Sequence, residues 1–341
     1  MSLSNYPWLS ASLKQLPPTL PGALLIHGQR GAGKQYLALR LSQSRLCQAP
    51  AGAGFPCGRC EGCHLFEIGN HPDFRHLQPA KDEEENVAGT ATRGTTGRKP
   101  SSIISVDAIR ELTGLTSVAA HRGGAKVIMI SPAEALHPSA ANALLKMLEE
   151  PARDTGFVLV TNELKRIVPT IRSRCFQLHV KVPRDGIDAD WLQANNAQRA
   201  ELALSLSSNA PFAARELAAD ENFWTGRESL MNGLMDDSVS PVDIAGVAES
   251  IEPVVLGRLL TMWVFDLLAL QQGGEVRFNR DRERDLQRLS RSLSGPDLCR
   301  WNDDVLKFCR AAEHPLNRRL ALESLFSGWP GSRQRLAAIS Y

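Results

Sequence analysis

The chain has 341 residues, room for two or three domains, and 43% of them are hydrophobic, which excludes a globally disordered protein. A formal net charge of +2 is too small to mark the whole chain as a nucleic-acid binder, so any basic face has to be local. Seven cysteines without a charged-then-apolar leader point away from disulfides and toward a reduced compartment, the cytosol.

The first element is a short apolar strand, ALLIHG (23–28). It runs into GQRGAGKQ (28–35), which matches the phosphate-loop pattern G-x-x-x-x-G-K-[ST] at Gly28, Gly33 and Lys34. Gln35 stands where that pattern needs a hydroxyl to hold Mg²⁺. A leucine-rich helix follows from Lys34 to Cys47. Strand, glycine loop and helix in this order are the context in which backbone N–H groups cradle phosphate.

Cys47, Cys57, Cys60 and Cys63 come next, spaced C-x9-C-x2-C-x2-C. Four thiolates close a tetrahedral shell around zinc, and a closed shell is structural rather than catalytic. An iron–sulfur cluster is the rival occupant of such spacing. His64 and His71 read as surface histidines, and Cys175, Cys299 and Cys309 as packing residues. Residues 79–102, polar with an acidic run, read as a mobile surface loop.

From Ser105 the apolar residues Val106, Ile109, Leu112, Leu115 and Val118 recur at helical spacing. AKVIMI (125–130), GFVLVT (156–161) and CFQLHV (175–180) are further strands, with a helix from Pro138 or Ser139 that Pro151 ends. Strands alternating with helices predict a mostly parallel sheet covered on both faces. After residue 181 the strand signals vanish. The expected division is an α/β domain over 1–181 containing the cysteine module (47–63), a small helical domain over 182–221, and a larger helical domain over 222–341. The most apolar stretch, VVLGRLLTMWVFDLLAL (254–270), carries Arg258 and Asp266 and lacks the ~20 uninterrupted apolar residues of a membrane span, so a buried helix and no membrane are expected.

A working ATP site also needs an acid at the end of the second strand and a group that positions water. Here Ser131 and Pro132 follow VIMI, and Glu134 falls where its side chain is expected to point elsewhere. Gly28, Gly31, Gly33 and Lys34 still form a phosphate cradle, but hydrolysis is not expected. Retained shape and retained nucleotide both stand as readings of the loop.

GQRGAGK, the cysteine insert, NALLKMLEEP (142–151) and IRSRC (171–175), in this order, resemble the bacterial clamp-loader subunits of the AAA+ class over the first ~180 residues. PLNRRLALESLF (315–326) is similar to the family's collar helices. The motor members, gamma and tau, keep an intact loop and acids after the second strand. YPWL (6–9) and the acid-free ISPAEAL (130–136) resemble instead the members that do not hydrolyse ATP. The resemblance implies a P-loop AAA+ α/β domain, a helical lid and a helical collar. It also implies structural zinc, and a hetero-pentameric ring with gamma/tau and delta subunits that acts on a sliding clamp and primer–template DNA.

It makes the chain part of a DNA-directed DNA polymerase holoenzyme, a nucleotidyltransferase, rather than an ATPase by itself. It gives Arg174 the role of an arginine finger reaching a neighbour's ATP, with Ser173 and Cys175 holding its turn, and it makes Thr161 and Asn162 a vestigial phosphate sensor. A second sensor arginine of the family would fall within 208–218, where Pro211 stands. The rivals are an active gamma/tau-type ATPase, which the missing acids disfavour, and a zinc-dependent nucleic-acid binder, which the single basic residue of the 47–63 module, Arg59, disfavours.

Overall fold

The computed structural model describes residues 6–50, 55–79, 102–117, 120, 124–182, 187, 189–192, 197–236, 238–311 and 317–332. Of the segment read as a surface loop, 80–101 lie outside the described residues. The chain divides into two compact units, Met1–Pro183 and Arg184–Tyr341.

The first unit is built on a five-stranded sheet in the order β2-β3-β4-β1-β5. The strands are β1 (Ala23–Gly28), β2 (Phe74–Leu77), β3 (Lys126–Ile130), β4 (Thr155–Thr161) and β5 (Phe176–Val180). Every pairing is parallel. β3 and β4 are buried at each residue, as interior strands covered on both faces must be. β2 was not expected from the sequence. It is four residues long and carries Arg75 and His76, which an edge strand tolerates.

Among the described residues six helices accompany the sheet: α1 (Pro7–Leu13), α2 (Lys34–Leu46), α3 (Glu61–Glu67), α4 (Val106–Ser117), α5 (Pro138–Glu149) and α6 (Pro169–Arg174). Leu25, Ile128, Ile130 and Leu159 share one core with Ile109 and Leu112 of α4, Leu144 and Leu148 of α5, and Ile171 of α6. Alternation sends Leu24, Ile26, Met129 and Val158 to the opposite face, and α2 packs on β1, β3 and β4.

The second unit is helical throughout its described elements. The helices α7 (Ala189–Leu192), α8 (Ala197–Leu206) and α9 (Pro211–Ala219) share a small alanine-rich core of Leu192, Ala200, Ala203, Ala214 and Ala218. A larger core is built by α10 (Glu221–Met235), α11 (Pro241–Ala248), α12 (Pro253–Gln271), α13 (Glu283–Ser292), α14 (Gly295–Ala311) and α15 (Arg318–Ser327). Helix α12 has the length and hydropathy of a membrane span. Its Leu256, Leu259, Leu260, Trp263 and Leu267 are instead buried in this core.

Asp266, the acidic one of the two charges within that apolar stretch, is fully buried. Its carboxylate accepts the backbone N–H groups of Arg277, Phe278 and Asn279 at 2.8 to 3.2 Å, which pins the turn that leads to α13. Next to it the buried Arg227 donates twice to Asp281 and once to Asn279. A buried charge supplied with this many partners is tolerated where an unpaired one is not.

Candidate functional site

Strand β1 ends in the glycine loop. Gly28 has φ 149°, and Gly33, with φ 92°, caps the start of α2 in the left-handed conformation that L side chains rarely adopt. A Cβ on Gly28 would lie 2.3 Å from the carbonyl oxygen of Val180, so this glycine is demanded by the packing of β1 on β5. The helix before the sheet backs the loop: the indole N–H of Trp8 donates to the Ala32 carbonyl at 2.9 Å, and Tyr6 packs on Tyr36. Gln35 is exposed, and Gly31 takes φ 78°.

Lys34 does not extend into an open cradle. Its Nζ donates to the Gln29 carbonyl of its own loop at 2.6 Å, and the side chain is buried. Burial lowers its pKa to about 8; Glu134 pushes it back up and Arg30 pushes it further down. Glu134 thus bears on Lys34 through its charge, while its hydrogen bonds run to the residue after β4. Glu134 leaves the short 3₁₀ turn Ala133–Ala135 and accepts both the backbone and side-chain N–H groups of Asn162, at 3.1 and 3.2 Å. Its second oxygen, Oε2, is buried with no hydrogen-bond partner among the described residues. Thr161 is likewise occupied, its hydroxyl accepting the Glu163 N–H at 3.1 Å. The turn after β3 carries Ser131 and Pro132, with no acid at the strand end itself.

The four cysteines converge. All four sulfurs lie within 4.8 Å of one another, with Cys47 and Cys60 at 3.8 Å and Cys57 and Cys63 at 4.0 Å. A tetrahedron with Zn–S bonds of about 2.3 Å has sulfur–sulfur edges of about 3.8 Å. The sulfurs stand too close together to enclose an inorganic cluster several atoms across, so the donor set fits a single zinc ion.

Successive tight turns aim the thiols. Cys57 Sγ accepts the Cys60 N–H at 3.3 Å, and Cys60 Sγ accepts the Cys63 N–H at 3.4 Å while capping α3. Burial disfavours the Cys60 thiolate, but amide donors from Gln48 and Cys63 outweigh it and lower its pKa to about 6, whereas burial pushes the Cys63 thiol up. His64 is exposed as expected, but His71 is buried, its Nδ1 accepting the Asp73 N–H. Cys175 is buried, its pKa raised by burial to about 11, and Cys309 is partly buried against α12. Cys299 is exposed, which corrects its reading as a packing residue.

Arg174 is the last residue of α6, just before the edge strand β5. Because β5 runs parallel to β1 with Phe176 opposite Leu24, Arg174 sits beside the start of β1. The glycine loop leaves the other end of that strand, five residues on from Ala23, a separation of about 17 Å along the sheet. The Arg174 guanidinium is exposed. Nη1 donates to the Thr170 carbonyl at 3.1 Å and to Ser173 Oγ at 3.4 Å, and Nη2 lies 2.5 Å from Glu149 Oε1 at the end of α5. Trp8, Glu134 and Glu149 are contacts that sequence reasoning did not assign. The apolar opening YPWL was the one available signal for Trp8; nothing local marks the two glutamates.

A parallel sheet with a glycine loop after its first strand, a four-cysteine module and a helical second unit define the AAA+ clamp-loader class. The family described as DNA polymerase III, delta subunit, matches residues 9–184. The delta' subunit of DNA polymerase III from Pseudomonas aeruginosa is 32% identical over 95% of this chain and 97% of its own. That of Escherichia coli is 38% identical over 67% of this chain and 65% of its own. A crystal structure of a gamma subunit-related protein from Thermotoga maritima covers 96% of this chain and 99% of its own at 17% identity, with a TM-score of 0.46. The chain belongs to the DNA polymerase III delta' family of replicative clamp-loader subunits.

Proposed function

We propose that this chain is the non-hydrolysing subunit of a hetero-pentameric clamp loader in the bacterial cytoplasm, with gamma/tau and delta subunits as its neighbours. Through that complex it serves the loading of a sliding clamp on primer–template DNA, and Arg174 acts in trans on a neighbouring subunit's ATP. The observation that carries this reading is the strand register. Arg174 lies at the opposite end of β1 from the chain's own loop, so it has no access to a nucleotide bound there. It is exposed at a sheet edge, where another subunit can meet it.

The chain's own loop, with Gly28, Gly31, Gly33 and Lys34, is read as a kept shape. Lys34 is bound to Gln29, and no acid stands at the end of β3. Cys47, Cys57, Cys60 and Cys63 would hold a structural zinc that fixes the turn after α2. The division of the helical unit into a lid (182–221) and a collar (222–341) is supported by its two cores, one alanine-rich and small, the other built on Trp263, Trp301 and Trp329.

The deciding experiment is DNA-stimulated ATP turnover by the assembled loader carrying Arg174→Ala, with assembly checked by size. An arginine supplied in trans is worth about 10³–10⁵ in rate at the site it serves. A marked fall with assembly intact is expected. Unchanged turnover removes the trans role, and clear ATP turnover by the isolated chain removes the non-hydrolysing assignment.

A further inference from the structure

We propose that Glu149 is a positioning residue for Arg174, bracing the guanidinium in the orientation in which it meets a neighbour's phosphoryl group. The proposal rests on the trans role of Arg174 given above and deepens it.

An arginine side chain has several freely rotating bonds, and a finger that must be ordered at each encounter loses part of its effect to entropy. Arg174 is ordered beforehand from two directions. Within its own helix, Nη1 donates to the Thr170 carbonyl and to Ser173 Oγ. From a different helix, Glu149 meets Nη2 at 2.5 Å. The second contact is the informative one, because contacts from α6 alone would leave the guanidinium free to swing about that helix.

The position of Glu149 is itself fixed. It is the last residue of α5, a helix anchored in the core by Leu144 and Leu148, and α6 is anchored in the same core by Ile171. The two helices pack directly on each other. The carboxylate and the guanidinium are thus carried by one rigid substructure, which is the condition for precise placement of a charged group.

Donor counting shows that the brace does not consume the finger. A guanidinium has five N–H donors. Three are engaged by Thr170, Ser173 and Glu149, which leaves two for phosphoryl oxygens. Both partners are substantially exposed, with side-chain exposures of 37% and 48%. Water therefore screens the carboxylate, and its charge subtracts little from the attraction of Arg174 for phosphate. A buried carboxylate at the same distance would neutralise the finger; a half-exposed one orients it.

The test uses the assembled loader with primed DNA and compares Glu149→Gln, Glu149→Asp, Arg174→Ala and the double variant Glu149→Gln/Arg174→Ala. Loss of an exposed orienting pair predicts a fall of about two- to fivefold in kcat. KM for ATP, assembly and the melting temperature of the isolated chain should stay unchanged. Glu149→Asp, which keeps the charge, should recover part of the loss. In the Arg174→Ala background Glu149→Gln should cost nothing further, because the two act as one unit.

Unchanged or faster turnover in Glu149→Gln overturns the brace, as does an equal extra loss in the double variant. A fall carried by KM or by failed assembly overturns it too. If Arg174→Ala itself leaves turnover intact, the trans role fails and the brace with it, whereas a fall in Arg174→Ala without one in Glu149→Gln overturns the brace alone, so the two failures are told apart.

Discussion

The two ends of β1 treat their charged groups in opposite ways. At the loop end the groups that would meet a phosphate are engaged within the chain. Lys34 is buried and spent on Gln29, Thr161 on the Glu163 N–H, and Asn162 on Glu134. At the other end Arg174 is exposed, held by three contacts, and keeps donors free. One sheet thus carries an occupied phosphate loop and an open cation about 17 Å apart along its strands. A loss of catalysis at one end of a domain need not weaken the other end, because the sheet that spaces them is stabilised by its own core.

The most severe way to break this contrast is to exchange the expected importance of its two cations. Arg174→Ala is expected to lower DNA-stimulated turnover of the loader far more than any change at the loop. Lys34→Met is expected to leave it within about twofold if, as proposed, the loop is a kept shape that does no chemistry. If single-turnover ATP cleavage falls equally in both variants, the loop is a live site.

Next in size is the metal module. Cys60→Ser should release one zinc equivalent, detected by a chromogenic chelator, and lower the melting temperature by several degrees, because the ion's binding energy contributes to folding. An unmodified chain that carries no metal would refute the zinc assignment.

A smaller effect sharpens the inward-facing end. Lys34 loses its proton near pH 8 in the folded chain, against an ordinary value of 10.5. Between those values the unfolded chain binds the extra proton, so stability rises with pH across that window, and the burden of burying the charge is full below it. Lys34→Met should therefore stabilise the chain by about 1–3 kcal/mol at neutral pH. The gain should shrink as pH rises from 8 toward 10.5, as chemical denaturation at several pH values would read out. A gain independent of pH would mean that Lys34 is solvated. The smallest effect is that of Glu134→Gln. Because Glu134 raises the Lys34 pKa, its neutralisation should move that pKa below about 8, which NMR titration of the lysine side chain can follow.

Much of this arrangement is legible in the chain itself. The interior strands β3 and β4 announce themselves as continuous apolar runs, and the cysteine spacing gives the module before any coordinates. IRSRC places Arg174 at the entry to a strand, and the parallel register then separates it from the loop. What escaped has a common cause. β2 is short and polar because it is an edge, so it lacks the apolar signature of its neighbours. Glu134 and Glu149 owe their environments to residues 28 and 25 positions away, brought near by the fold rather than by any local period. Asp266 looked like an interruption of an apolar helix, and only the turn at 277–279 shows why a carboxylate belongs there.

Gly28 carries a lesson for reading motifs. A pattern search credits it to phosphate, yet the strand beside it would exclude any side chain at that position even if no nucleotide ever visited the loop. The opening letter of a nucleotide signature can therefore outlive the nucleotide, preserved by the crowding of two neighbouring strands. A match at this glycine is a statement about steric architecture first, and about ligands only when the groups farther along the loop agree.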